Sequence, residues 1–154
     1  MKILRYPVFL LLFILTACSP DKIYEKHIKF ENYSWNRFKD LQFEVPVEDI
    51  KSNYNFYFAI KHITQYPYKN LRINFTIHTP SGEFRTMDYD LKLKDNKGNC
   101  FGKTTGDTCY ISRLLRKDFL FSKTGVCKFE IGNLMPRVET PGIMEIVLIV
   151  EKSY

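Results

Sequence analysis

Cys18 is the residue whose chemistry the sequence states most plainly. It closes the run Leu15-Thr16-Ala17-Cys18, behind a basic start at Lys2 and Arg5 and an apolar stretch from Val8 to Leu15. A positive start, a greasy middle and small residues before the cut are the requirements of a secretory signal, because the peptidase must reach the backbone there. A cysteine directly after that cut, with leucine three residues before it, meets the lipobox pattern. In that pattern the thiol takes a diacylglyceryl group and the new amine usually a further acyl chain. The apolar stretch is short for a permanent span, since a bilayer core about 30 Å thick needs roughly 20 apolar residues. Two or more acyl chains, at about 0.8 kcal/mol per buried CH₂, hold a protein on a membrane without ready release. The expectation is a lipoprotein signal peptide over 1–17, a lipidated Cys18, a short tether over 18–22 and one folded domain over 23–154. Ser19, where an acidic residue would favour inner-membrane retention in enteric bacteria, points by analogy to the outer membrane.

Other reactive side chains form weaker patterns. Cys100, Cys109 and Cys127 remain after Cys18, in a compartment where disulfides persist. An odd number leaves at least one thiol unpaired. Cys100 and Cys109 flank a glycine-containing loop that a disulfide between them would close, whereas Cys127 sits in an alternating stretch as a small buried hydrophobe would. Spacing alone does not choose the pair. His27, His62 and His78 stand far apart in sequence, and no zinc-ligand spacing occurs, so no metal site and no cofactor are expected. The elbow Gly-x-Ser-x-Gly is absent. Asp88 and Asp90 share a face at strand spacing, as glycosidase acids do, but alternating acids on a solvated strand are commoner. Gly98, Gly102 and Gly106 lie near Lys103 without phosphate-loop spacing or its helix, which leaves turn chemistry. No catalytic residue is assigned, and the chain is expected not to be an enzyme.

Charge narrows the partners. The formal net charge is +6, and loss of residues 1–17 with Lys2 and Arg5 lowers it to +4. Only Arg113, Arg116 and Lys117 cluster, and such a group is ordinarily a solvated face, so nucleic acid is not an expected partner. The membrane, through the lipid, and other envelope proteins are.

The elements that must position these residues are strands. Aromatic residues make up 16% of the chain and recur among β-branched neighbours, a composition suited to pleated, half-buried surfaces. Leu41, Phe43, Val45 and Val47 alternate with polar partners, and Pro46, which cannot donate a ladder bond, places this strand on an edge. Tyr54, Phe56, Phe58 and Ile60 form a second strand, partly apolar on both faces. Leu71, Ile73, Phe75 and Ile77 lead through Thr79-Pro80-Ser81-Gly82 into a strand near Phe84, the clearest hairpin in the sequence. The segment from Cys109 to Phe121 reads as strand with a helical turn near Leu114. Cys127, Phe129 and Ile131 alternate, and after Pro141-Gly142 a last strand runs from about Ile143 to Glu151. The fold class is all-β: a single antiparallel β-sandwich, with a closed barrel as the alternative. Trp35, the lone tryptophan, suits a plug for the open end of the sandwich. Its other reading, with Tyr66 and Tyr68, is an exposed aromatic platform for a glycan or a protein partner.

The run Tyr66-Pro67-Tyr68-Lys69-Asn70-Leu71, after Tyr54-Asn55-Phe56-Tyr57, resembles the central signature of the gliding motility lipoprotein GldH family of Bacteroidota. Further landmarks agree in order: the lipobox, Tyr24-Glu25, Ser34-Trp35-Asn36, Pro80-Ser81-Gly82, the loop from Gly102 to Gly106-Asp107, Phe129-Glu130-Ile131, Met135, Arg137, Gly142-Ile143 and Val150-Glu151-Lys152. The resemblance implies a role in gliding and the associated envelope and secretion machinery, with no catalytic residues to carry across. A non-enzymatic, outer-membrane-anchored accessory or scaffold is therefore expected, with a glycan-binding envelope lipoprotein as the alternative.

Overall fold

The computed structural model describes residues 21–153. The lipobox and Cys18 lie outside the described residues. Eleven strands follow in chain order: β1 (Lys22–Lys29), β2 (Ser34–Asn36), β3 (Leu41–Val47), β4 (Asn53–Ile63), β5 (Asn70–His78), β6 (Phe84–Lys92), β7 (Lys103–Thr105), β8 (Thr108–Leu120), β9 (Gly125–Asn133), β10 (Glu139–Pro141) and β11 (Ile143–Ser153). They form a five-stranded sheet in the order β1-β11-β4-β8-β7, a four-stranded sheet β3-β9-β5-β6 and a small ribbon β10-β2. All ladders are antiparallel, and neither large sheet closes on itself. The protein is a β-sandwich.

Alternation in the sequence becomes burial in the structure. Along β3 the residues Leu41, Phe43, Val45 and Val47 are buried and the intervening ones exposed, and β3 is an edge, as Pro46 requires. Tyr54, Phe56, Phe58 and Ile60 of β4 face Phe75 of β5 and Phe129 of β9 across the core. The other face of β4 is apolar for a separate reason. Ala59, with Val147 and Ile149 of β11, makes a small cluster on the outside of the five-stranded sheet, covered by Tyr57. The expected hairpin is β5-β6, paired from Asn70↔Lys92 to His78↔Phe84.

The helical turn expected near Leu114 is not there. β8 runs on as strand and absorbs its irregular apolar spacing with register shifts against β4 between Tyr54 and Phe56 and between Phe56 and Tyr57, and with Asp118 at φ 52°. Extra residues on β8 interrupt its alternation, and Ile111, Leu115 and Phe119 come to be buried at intervals of four, which imitates a helical pattern in sequence.

Connections sort the loops to two ends. The β3–β4 loop and the β8–β9 turn join the sheets at the end where Lys22 pairs near Glu151 and Asn53 pairs with Leu120. The chain enters β1 at this end. Asp49, in the β3–β4 loop, accepts hydrogen bonds from Ser52 Oγ at 2.6 Å and Lys51 N at 2.8 Å, and pairs with Lys152 Nζ of β11 at 3.3 Å. These contacts, Ser52 first, lower its pKa from 3.8 to about 2. The folded-state value lies below the unfolded one, so the loop's anchorage is complete above about pH 4 and is lost as pH falls through about 2. A carboxyl chemical-shift titration should give a midpoint near 2 for Asp49. An ordinary carboxylate value there would show the loop unanchored.

Candidate functional site

The end opposite the chain entry gathers most of the residues that the sequence singles out. Trp35 lies in β2, paired with Thr140 of β10, and is 0% exposed. Its Nε1 donates to Lys39 O at 3.0 Å, and its ring stacks on Phe30 at 5.9 Å. Asn133, buried at the end of β9, fastens this ribbon to the sandwich: its Nδ2 donates to Trp35 O and Thr140 Oγ1, and its Oδ1 accepts from Met135 N. Trp35 is thus the plug, not the platform.

Tyr66 is also interior, 2% exposed, with its hydroxyl donating to Asn70 O at 3.0 Å. Burial pushes its pKa upward, with neighbouring Tyr68 adding to the shift. Its ring packs against Tyr68 at 5.5 Å and His62 at 5.3 Å. Gly142 fits beneath it at φ +88°, where a Cβ would come within 3.2 Å of the Tyr66 ring and 3.1 Å of Ile63. The tyrosine therefore pins the β4–β5 turn, and only Tyr68 keeps part of its ring at the surface. The expected aromatic platform is corrected on this point, because two of its three rings are needed to fill the end of the core. Exposed apolar groups at this end include Phe38, 76% exposed, and Val138, 51% exposed, in segments joined by the bond from Arg37 N to Val138 O.

Cys100 and Cys109 are disulfide-bonded, with Cα atoms 6.5 Å apart. Cys109 lies on β8 directly opposite His62 of β4. Cys100 is brought above them by the bridge Lys94↔Cys100 and by Gly102, where any Cβ would meet Tyr110 O at 2.0 Å. Only glycine lets this loop lie flat on β8. His62 Nε2 stands 4.0 Å from Cys100 Sγ, while its Nδ1 bonds Ile63 O at 2.8 Å. Burial lowers the His62 pKa, which keeps the ring neutral. Sequence spacing gave no hint of this trio, since 38 residues separate His62 from Cys100; strand register is what unites them. Cys127, unpaired and buried opposite Val45, has its thiol pushed up to about 12 by burial.

The remaining candidates sit on exposed sheet faces. Asp88 and Asp90 of β6 accept hydrogen bonds from Asn74 and Asn70 of β5, which engages both carboxylates in cross-strand pairs. Arg113 reaches Lys92 O across the open edge between the sheets and lies over the Phe101 ring, and Lys117 pairs with Asp118 at 3.6 Å. His27 on β1 has Glu145 at 2.9 Å from one ring nitrogen and Glu25 at 3.0 Å from the other, which raises its pKa, Glu145 foremost. Among the described residues no helix is long and apolar enough to cross a membrane.

Against known proteins, the profile described as GldH lipoprotein matches residues 22–149. A curated relative, the gliding motility lipoprotein GldH of Flavobacterium johnsoniae, is 28% identical over 92 residues, covering 57% of this chain and 57% of the relative. The chain thus matches little more than half of that relative's length. A solved structure of TmCBM61 in complex with beta-1,4-galactotriose is similar at 14% identity and a TM-score of 0.38, covering 88% of this chain and 85% of that one. A superposition so loose transfers no ligand.

Proposed function

Since the chain belongs to the GldH lipoprotein family, we propose that it serves as a lipid-anchored, non-enzymatic accessory or scaffold of gliding motility and the associated envelope and secretion machinery, held on the outer membrane through Cys18. The match over 22–149 is the observation that carries this reading, because it takes in ten of the strands whole and the first part of β11, through Ile149.

The fold agrees with a short leash. Four peptide units join Cys18 to Lys22, the first residue of β1. Fully extended they reach about 14 Å. A lipid on Cys18 therefore holds the chain-entry end close to the bilayer and turns the Phe38 and Val138 end outward. Proteins of the machinery would meet that outward end, where apolar side chains remain uncovered.

The test is genetic and biochemical together. Deleting the gene should abolish or impair surface spreading or secretion, with full rescue by the intact chain. A Cys18→Ser chain should lose acyl labelling, leave the membrane fraction or stay unprocessed, and fail to rescue. Unchanged spreading, secretion and envelope assembly in the deletion strain would count against the reading. Retained acyl labelling in Cys18→Ser would count against the anchor.

A further inference from the structure

We propose that the trio His62, Cys100 and Cys109, once its disulfide is reduced, is a binding site for a soft d¹⁰ metal cation of the monovalent copper kind. The three donor atoms lie within 4.8 Å of one another, on two adjacent strands and one tightly seated loop. Two thiolates and an imidazole nitrogen are the donor set that soft and borderline cations select.

The surroundings are those of a held ligand set. His62 is fully buried, and its Nδ1–H is committed to the Ile63 carbonyl, so Nε2 presents its lone pair toward the sulfurs. Fixing the far nitrogen in this way orients a ligating histidine and sets its tautomer. Gly102 N donates to Cys100 Sγ at 3.2 Å, a hydrogen bond that steadies a thiolate. Lys94 adds charge balance. Its ammonium, held by Thr64 O at 2.7 Å and Tyr66 O at 2.5 Å, acts electrostatically on His62. Two thiolates around a monovalent cation carry one net negative charge, which that ammonium offsets; a divalent cation would leave the ammonium uncompensated. Three donors also suit a trigonal monovalent ion. Cys109 and His62 are buried while Cys100 is half-buried, so reductant and metal enter from the Cys100 side.

The two states exclude each other. A dithiol reductant attacks one sulfur, forms a mixed disulfide and resolves it with its second thiol. The reductant leaves as a disulfide, and Cys100 and Cys109 are left as thiols carrying the two electrons and two protons. Metal binding then breaks two S–H bonds, releases two protons and forms two metal–sulfur bonds. The sulfurs must part to accept a metal with bonds of about 2.3 Å, which rotation about the cysteine χ angles permits across Cα atoms 6.5 Å apart.

The experiment uses the full-length chain purified in detergent, oxidised or reduced with a phosphine that is then removed. Each form is titrated with monovalent copper held by bicinchoninate. The reduced chain should withdraw one equivalent that the oxidised chain does not. His62→Gln should weaken binding at least tenfold, Cys100→Ser should remove it, and X-ray absorption should show two sulfurs and one nitrogen on copper. Equal copper uptake by oxidised and reduced chains overturns the proposal, and so does full affinity in a folded His62→Gln chain. If Cys100→Ser fails to fold, the oxidised and reduced intact chains decide alone.

Discussion

Replacing Phe56 with alanine should lower the free energy of unfolding by about 3–5 kcal/mol, the range for deleting a large aromatic ring from a packed interior. Phe56 is fully buried on β4, with ring centroids of Phe129 at 5.0 Å, Phe119 at 5.4 Å, Phe121 at 6.2 Å and Phe75 at 6.4 Å. These rings come from both sheets, so the void opens at the contact that makes two sheets one sandwich. A domain's whole stability is about 5–15 kcal/mol, and a loss of this size removes a large share of it. Val126→Ala, at a position 52% exposed on β9, should stay within about 0.5 kcal/mol. Urea unfolding followed by tyrosine or tryptophan fluorescence measures both. Equal midpoints for the two variants would mean that Phe56 does not centre the core.

The second large effect belongs to Asn133. Leucine in its place keeps the volume but removes the donors to Trp35 O and Thr140 Oγ1 and the acceptor for Met135 N. Each of these three buried polar groups left without a partner costs about 1–3 kcal/mol, so a loss of at least about 3 kcal/mol is expected. The change should also be local. Asn133 is the peg between β9 and the β2-β10 ribbon, and amide exchange should rise first at 34–36 and 139–141, with Trp35 fluorescence shifting toward that of a solvated indole. Unaltered exchange in those residues would show that the Trp35 ring alone holds the ribbon.

The sequence readings that held were those with a local physical cause. Alternation at 41–47 and 71–77 needs only the pleat, because successive side chains leave a strand on opposite faces. Pro46 marks an edge through its own missing donor. The turn at Thr79-Pro80-Ser81-Gly82 works through Gly82, at φ 88°. Features that depend on a neighbour were harder to see. β1 has little alternation, with a mostly exposed pattern, because it is an edge strand given its shape by pairing with β11. The ribbon strands β2 and β10 and the short β7 run three residues each and exist through their partners. β8 reads as partly helical because its register shifts leave Ile111, Leu115 and Phe119 buried at intervals of four, the spacing of a helix face.

The candidate site divides along the same line. Cys18 and its lipobox depend on contiguous residues that an enzyme reads on an extended chain, so the sequence alone determined that expectation, along with the strand content and the turns. Tertiary structure alone decided which rings are surface. Trp35 and Tyr66 carry the same aromatic signal as an exposed platform, and their burial follows from how a ribbon and a turn close the end of two sheets. Tertiary structure also decided that His62 meets Cys100 and Cys109. A one-residue slip of β4 against β8 would turn His62 to the opposite face, and no spacing in the sequence records that register.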